Sequence, residues 1–342
     1  VNNYRQNSLR SRKLKNIQAD IKSGNFKQVY LLYGEEAYLK QQYKQNLVKA
    51  LNPDGDTMNF NHYEGKGIDV KQLIDLCETM PFFAERRVVL LEDTGFFKNK
   101  CEELADYMKE LPDYLYLVFA ETEVDKRNRM YKAVKAYGSI AEFIRQDEKT
   151  LMRWAAGILG KAGKKITQRD MELLLTKTGT DMGNLRMEME KLISYTEGRD
   201  VVTAEDIEEI CTTQTTNRIF DMVRAVTEKN QKRALELYYD LLTLKEPPMR
   251  ILFLLAKQFR QICLTKKLSQ EGLSQTEIAS KLGVPSFVVR NLASCARSYT
   301  VEELENAVRD FVDAEEAVKT GTLGDVLSVE LLIVKYARKN PV

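Results

Sequence analysis

The sequence predicts a multidomain protein: an α/β domain built on a parallel sheet, followed by all-α segments. Three observations carry that prediction. Residues 28 to about 145 alternate short apolar runs with helical periodicity, strand patterns stop after residue 146, and Pro247 and Pro248 open a long amphipathic helix within a final helical stretch. Alternating strand and helix units imply parallel strands with helices on both faces. At 342 residues, 44% hydrophobic and 30% charged, the chain has material for two or three domains and a real core.

The elements follow in order. "VYLLYG" is a continuous apolar strand, and "AYLKQQYKQNLVKAL" sets Leu39, Tyr43, Leu47 and Leu51 on one helical stripe. "NPDGD" has loop chemistry. "MNFNHYEG" reads as a strand with Met58, Phe60 and His62 on one face. "VKQLIDLCETM" spaces Val70, Leu73, Ile74 and Cys77 for a buried helix face. "RVVLLED" and "YLYLVFAE" are strands apolar on both faces, with the helix "CEELADYMKEL" between them. "DKRNRMYKAVKAYG" is a helix closed by Gly138, and "IAEFI" is the last strand.

Beyond residue 146 the pattern is helical throughout. Four helices are expected in "LMRWAAGILGKAG", where Trp154 anchors a small core, "TQRDMELLLTKTG" from a Thr167 cap to Gly179, "MGNLRMEMEKLISYTEG", and "TAEDIEEICTT" with Thr203 and Asp206 at capping spacing. They make a small domain of roughly 65 residues. "NRIFDMVRAVTEKN" and "QKRALELYYDLLTLKE" come next, then the proline-opened helix, as prolines at a helix start allow, and two or three more helices.

Composition excludes several function classes. The net charge of +2 provides no global field for nucleic acid, so any such contact is a local patch. The five cysteines, at 77, 101, 211, 263 and 295, form neither a zinc site nor a disulfide framework. Their odd, scattered set fits a reducing compartment, and a cytoplasmic location is expected. The single histidine, His62, reads as a satisfied, partly buried side chain, and no metal site is expected. No apolar run approaches the ~18 residues of a membrane span. Residues 1 to 16 carry five basic and no acidic side chains without a signal-peptide core, and read as a solvated basic lead-in.

Five motifs carry what functional signal there is. "LLYGEEAYLKQQ" has the frame of a phosphate-binding loop, with Gly34 and Lys40 in place, but Leu39 stands where the second glycine belongs and Gln41 where the hydroxyl belongs. Glu35 and Glu36 add carboxylates where phosphate oxygens would lie. Glu92 and Asp93 end a strand as an acidic metal-binding pair would, in reversed order. The residues alone leave a ruined nucleotide site and a coincidence both open. In "PFFAERR", Pro81 stops a helix and Phe82 and Phe83 follow; the rings either fill the core, the usual fate of large aromatics, or form an exposed plug for a partner. "SQTEIASKLGVPSFVVRNLA" imitates a helix-turn-helix, but its reading face carries Phe287, Val288 and Val289 with only Arg290 as a strong base reader. Arg186, near a helix start in "GNLRMEMEKL", sits where an ATPase lid places a phosphate-sensing arginine.

Together these segments resemble the delta subunit of bacterial DNA polymerase III, a sliding-clamp loader subunit, from about residue 20 to 340. The likeness is carried by "VYLLYGEEAYL", "PFFAERRVVLLE", "GNLRMEMEKLISY", "NRIFDMVRAV", "LLAKQFRQI", "EIASKLGVPSFVV" and "VKTGTLGDVLSVELLIVK" in that order. The resemblance implies a degenerate AAA+ domain with a RecA-like sheet over residues 17–145, a helical lid over 146–216 and a helical collar over 217–342, after the lead-in of 1–16. It implies no cofactor, no productive ATP binding and no intrinsic catalysis, in a component of the DNA polymerase III holoenzyme, a DNA-directed DNA polymerase and nucleotidyltransferase. It implies a clamp-opening contact on Phe82 and Phe83, flanked by Pro81 and Met80. The partners implied are the sliding clamp (beta subunit), the gamma/tau and delta-prime subunits, and primer-template DNA within the complex, with no membrane. The lack of zinc-type cysteine clusters and of a Ser-Arg-Cys motif favours delta over its paralogues. Two other readings remain, a helix-turn-helix regulator with an α/β sensing domain and an active P-loop ATPase.

Overall fold

Apolar runs flanked by turn residues become the strands of a parallel sheet in the first of two compact units, which meet between residues 146 and 147. The computed structural model describes residues 16–212 and 215–338; the basic lead-in up to residue 15 lies outside them. Helix α1 occupies residues 16–23. Then follow β1 (Val29–Tyr33), α2 (Ala37–Leu51), β2 (Phe60–Glu64), α3 (Val70–Glu78), β3 (Arg87–Glu92), α4 (Glu102–Tyr107), β4 (Leu115–Glu121), α5 (Arg129–Tyr137) and β5 (Ser139–Glu142).

The strands lie in the order β2-β3-β4-β1-β5, and all pairs are parallel. Val29 sits opposite Leu117 on β4, and Tyr30 opposite Ser139 on β5. Alternation across the pleat divides the side chains between two cores. Tyr30, Leu32, Val88, Leu90 and Val118 pack with Ile17 of α1 and with Leu47 and Leu51 of α2. Val29, Leu31, Val89, Leu91, Leu117 and Phe119 pack with Leu73, Leu104, Met130 and Val134 of α3, α4 and α5. This is the expected parallel sheet covered on both faces. Two local readings are corrected. Helix α1, taken as lead-in at its first residue, buries Ile17 completely. Met58 is exposed and precedes β2, so it shares no strand face with His62.

The second unit holds α6 (Glu148–Lys161), β6 (Lys165–Ile166), α7 (Gln168–Thr178), α8 (Met182–Tyr195), β7 (Val201–Val202), α9 (Ala204–Ile210), α10 (Thr215–Thr227), α11 (Gln231–Thr243), α12 (Pro248–Gln270), α13 (Gln275–Leu282), α14 (Ser286–Ala296), α15 (Val301–Lys319) and α16 (Asp325–Ala337). The expected caps form: Thr167 accepts the Asp170 amide, and Thr203 with Asp206 makes a reciprocal capping box. Strands do not vanish altogether, because β6 and β7 pair in parallel. Among the described residues four helices follow α12, where two or three are expected from the sequence. Trp154 is only half-buried; Leu151, Ala155 and Leu159 are the buried residues of α6. From α10 onward one apolar core gathers Tyr238, Leu255, Phe259, Phe311 and Ile333. No described helix is long and apolar enough to cross a membrane.

Candidate partner-binding site

The phosphate-loop frame folds with a connection much shorter than a phosphate loop has. A working loop leaves several amides free to converge on an anion. Here α2 begins at Ala37, so only Gly34, Glu35 and Glu36 connect it to β1, and Leu39, Lys40 and Gln41 are already helical. Three of the amides are committed: Glu36 N donates to Phe143 O at 3.1 Å, Ala37 N to Glu35 O at 3.0 Å, and Lys40 N to Glu36 O at 3.1 Å. Gly34, at φ 126°, lies so close to the end of β5 that any Cβ would collide with the Phe143 carbonyl. Its glycine is therefore explained by packing alone. Glu36 is buried, so of the two acids only Glu35 projects outward, 3.7 Å from Arg145.

The cations and acids around this frame neutralise one another. Lys40 Nζ donates to the Glu121 carbonyl oxygen at 2.9 Å. Burial pushes the Lys40 ammonium down, against the pull of Asp93, Glu121 and Glu92. Glu92 lies 2.6 Å from Lys44 Nζ and 2.9 Å from His62 Nε2. Asp93 turns back at φ 46° and accepts the Thr122 amide at 2.8 Å. Burial raises the Glu121 carboxyl, opposed by the hydroxyl and amide of Thr94, both of which it accepts. Lys44, missed from sequence, supplies the counter-charge to the strand-end acid Glu92. Calorimetry with magnesium and ATP is expected to show no binding; micromolar affinity at this loop would overturn the reading.

The aromatic pair is the opposite case, a hydrophobic surface held open. Phe83 is 95% exposed, Met80 75% and Phe82 56%, with Pro81 half-buried beside them. The two rings meet edge to face, with centroids 4.4 Å apart and planes at 77°. Phe83 adopts φ 50°. That left-handed conformation costs a non-glycine residue roughly 1–2 kcal/mol and persists where its surroundings over-determine it. Two buried polar side chains do so. Asn59, 3% exposed, accepts the Phe82 amide on Oδ1 at 2.6 Å and donates from Nδ2 to the Phe82 carbonyl at 2.8 Å. Arg87, 5% exposed, donates to the carbonyls of Thr79 at 2.9 Å and Met80 at 3.3 Å, and to Asn61 Oδ1 at 3.1 Å. Thr79 caps the end of α3, where free carbonyls and the helix dipole favour a cation. Neither Asn59 nor Arg87 stands out in the sequence, because each acts through tertiary contact.

The remaining motifs are committed to the fold. Arg186 lies on α8 and pairs with Glu190 one turn on, at 2.7 Å. In the helix-turn-helix mimic, Gly283 makes the left-handed turn, and Phe287 and Val289 are buried. Arg290 pairs with Glu172 of α7 at 2.9 Å, and the Ser286 amide at the start of α14 donates to Glu148 of α6 at 3.0 Å. The face that would read bases is therefore packed within the second unit, which counts against the regulator reading. Burial pushes the thiols of Cys77 and Cys211 up to about 12, which leaves them unreactive.

Comparison with known proteins then decides the family. The family model "DNA polymerase III, delta subunit" matches residues 30–143, and the model of that subunit's C-terminal domain matches residues 216–336. The chain belongs to the DNA polymerase III delta subunit family. Within it, the chain is 26% identical over 337 residues to DNA polymerase III subunit delta of Bacillus subtilis (strain 168), covering 95% of this chain and 97% of that one. It is 22% identical over 295 residues to a probable DNA polymerase III subunit delta of Aquifex aeolicus (strain VF5), covering 82% and 83%. The solved Bacillus subtilis DNA clamp loader delta protein (YqeN) has the same fold, with a TM-score of 0.63 and 24% identity over 95% of this chain and 99% of that one. The delta family is that of a clamp-loader component of the replicative polymerase holoenzyme, and most of the length of the relatives matched here is covered.

Proposed function

We propose that this chain binds the sliding clamp through Phe82 and Phe83, with Met80 and Pro81 at their edge, and opens the ring for loading onto primed DNA. The observation that carries the proposal is the Phe83 ring, 95% exposed on a backbone held at φ 50°. A soluble domain does not maintain strain to display a phenylalanine to water unless a partner covers it. Adjacent aromatics at the end of an element are what interface anchors are made of.

Opening follows from differential affinity. A clamp ring is closed by modest interfaces between its subunits. A plug that seats fully only when one interface is distorted binds the open ring more tightly, and the ring population shifts by that difference. No chemistry is required of this chain, in keeping with its closed phosphate loop. ATP bound by neighbouring subunits then governs when the plug reaches the clamp. In this reading residues 17–145 are the clamp-binding AAA+-like domain, 146–216 the lid and 217–342 the collar that joins the gamma/tau and delta-prime subunits around primer-template DNA.

The direct test is retention of purified sliding clamp on the immobilised full chain without nucleotide. Stoichiometric retention is expected, and clamp passing through unretained would sink the proposal.

A further inference from the structure

Resting on the clamp-binding reading of Phe82 and Phe83, we propose that Asn59, backed by Arg87, is the positioning residue of the plug. It sets clamp affinity by fixing the backbone under the two rings before the partner arrives, and it touches the partner only through them.

The geometry has three parts. First, Asn59 grips residue 82 from both sides, accepting its N–H and donating to its C=O. Such a pair fixes the peptide planes on either side of Phe82 much as a strand partner would, in a connection that otherwise has none. Second, the amide has one workable orientation. Its Nδ2 also donates to Asp56 Oδ2 at 2.5 Å, so a flip would set Oδ1 against a carboxylate and two amide hydrogens against each other. Asp56 in turn accepts the Met58 amide at 2.8 Å, which ties the clasp to the turn before β2. Third, Arg87 fastens the other end of the same connection through the carbonyls of Thr79 and Met80. Between those two clasps lies Pro81, with its fixed φ, and Phe83 follows just beyond them. The strained φ of Phe83 therefore follows directly after a residue gripped at both its N–H and its C=O.

The physical consequence is preorganisation. A loose connection would fold its two rings onto nearby apolar surface and have to be reordered on binding; a fixed one does not bear that cost. The effect belongs in clamp affinity and in local order of the free chain, with little change in global stability.

The experiment uses the full chain and purified sliding clamp. Asn59→Ala is expected to weaken clamp binding about tenfold or more, a typical penalty for lost preorganisation of an anchor. The isosteric Asn59→Asp keeps an acceptor for the Phe82 amide but cannot donate to its carbonyl, and is expected to weaken binding as well. In the free chain, hydrogen exchange at the Phe82 amide should accelerate in Asn59→Ala while amides of β3 stay protected. On a Phe83→Ala background the Asn59→Ala effect should shrink to less than about threefold, because residues acting through one another are not additive. A purely structural Asn59 would instead lower the melting temperature and weaken binding equally on both backgrounds; that result overturns the proposal. So does wild-type clamp affinity in both Asn59 variants when Phe82→Ala with Phe83→Ala has lost binding. If that double variant itself binds the clamp normally, it is the plug reading that fails, and this proposal falls with it.

Discussion

Phe82→Ala combined with Phe83→Ala is expected to weaken clamp binding by roughly 4 kcal/mol, about a thousandfold, with little change in thermal stability. The two halves of that expectation have separate grounds. Buried phenylalanines cost roughly 3–5 kcal/mol each on truncation, because a transfer term and a cavity term add. Phe83 is 95% exposed and Phe82 56%, so neither term applies in full and the fold keeps its core. The binding loss of about 2 kcal/mol per ring is that of interface anchors at the centre of a contact. Phe83→Gly sharpens the test, since glycine accepts φ 50° without strain and should bind as poorly as alanine while relaxing the connection. Clamp affinity by surface plasmon resonance and melting on the same samples separate the cases. A double variant that melts far below the parent would place the rings in the core, and one that binds normally would remove them from the interface.

The sheet was legible in the sequence because a parallel strand covered on both faces must be apolar at every position, and "VYLLY", "RVVLLE" and "LYLVFAE" have that unbroken character. The capped helices were legible because Thr167 and Thr203 act within three residues of themselves. What escaped was either too short or too distant. Strands β6 and β7 have two residues each, too few to show a period. Trp154 was assigned to the core on size, but Leu151, Ala155 and Leu159 form the buried stripe of its helix. At the site, the substituted phosphate loop could be read residue by residue. Its closure by helical hydrogen bonds, and the capture of Glu92 by Lys44 and His62, depended on contacts 48 and 30 residues apart respectively in sequence and could not be. The same holds for the aromatic pair. Residue types alone favoured burial, and exposure became visible only once Asn59 and Arg87 were seen holding the connection from below.

Leu327→Asp combined with Leu331→Asp is expected to abolish assembly with the other clamp-loader subunits while leaving clamp binding intact. Helix α16 is apolar nearly all round, a pattern that belongs to a helix covered on every side. Within this chain only part of it is covered: Val329, Leu332, Ile333 and Tyr336 enter the core, whereas Val326, Leu327 and Leu331 are exposed. Helix α11 extends the surface, since Tyr239 is exposed and its hydroxyl bonds Glu330, between the two leucine positions. Contiguous exposed apolar side chains on adjoining helices mark an interaction surface. In the proposed collar, that surface receives neighbouring subunits. Leu327 and Leu331 are 47% and 50% exposed, so the substitutions leave the core of the unit in place. Desolvating a carboxylate at each position against an apolar partner removes roughly 2 kcal/mol or more per site, about a thousandfold for the pair. Size-exclusion chromatography with the gamma/tau and delta-prime subunits checks assembly, and retention of clamp on the same variant checks that the plug still works. A variant that enters the loader at parental levels would move the collar interface to another face. A variant that loses the clamp as well would show that the substitutions had disturbed more than the surface they were placed on.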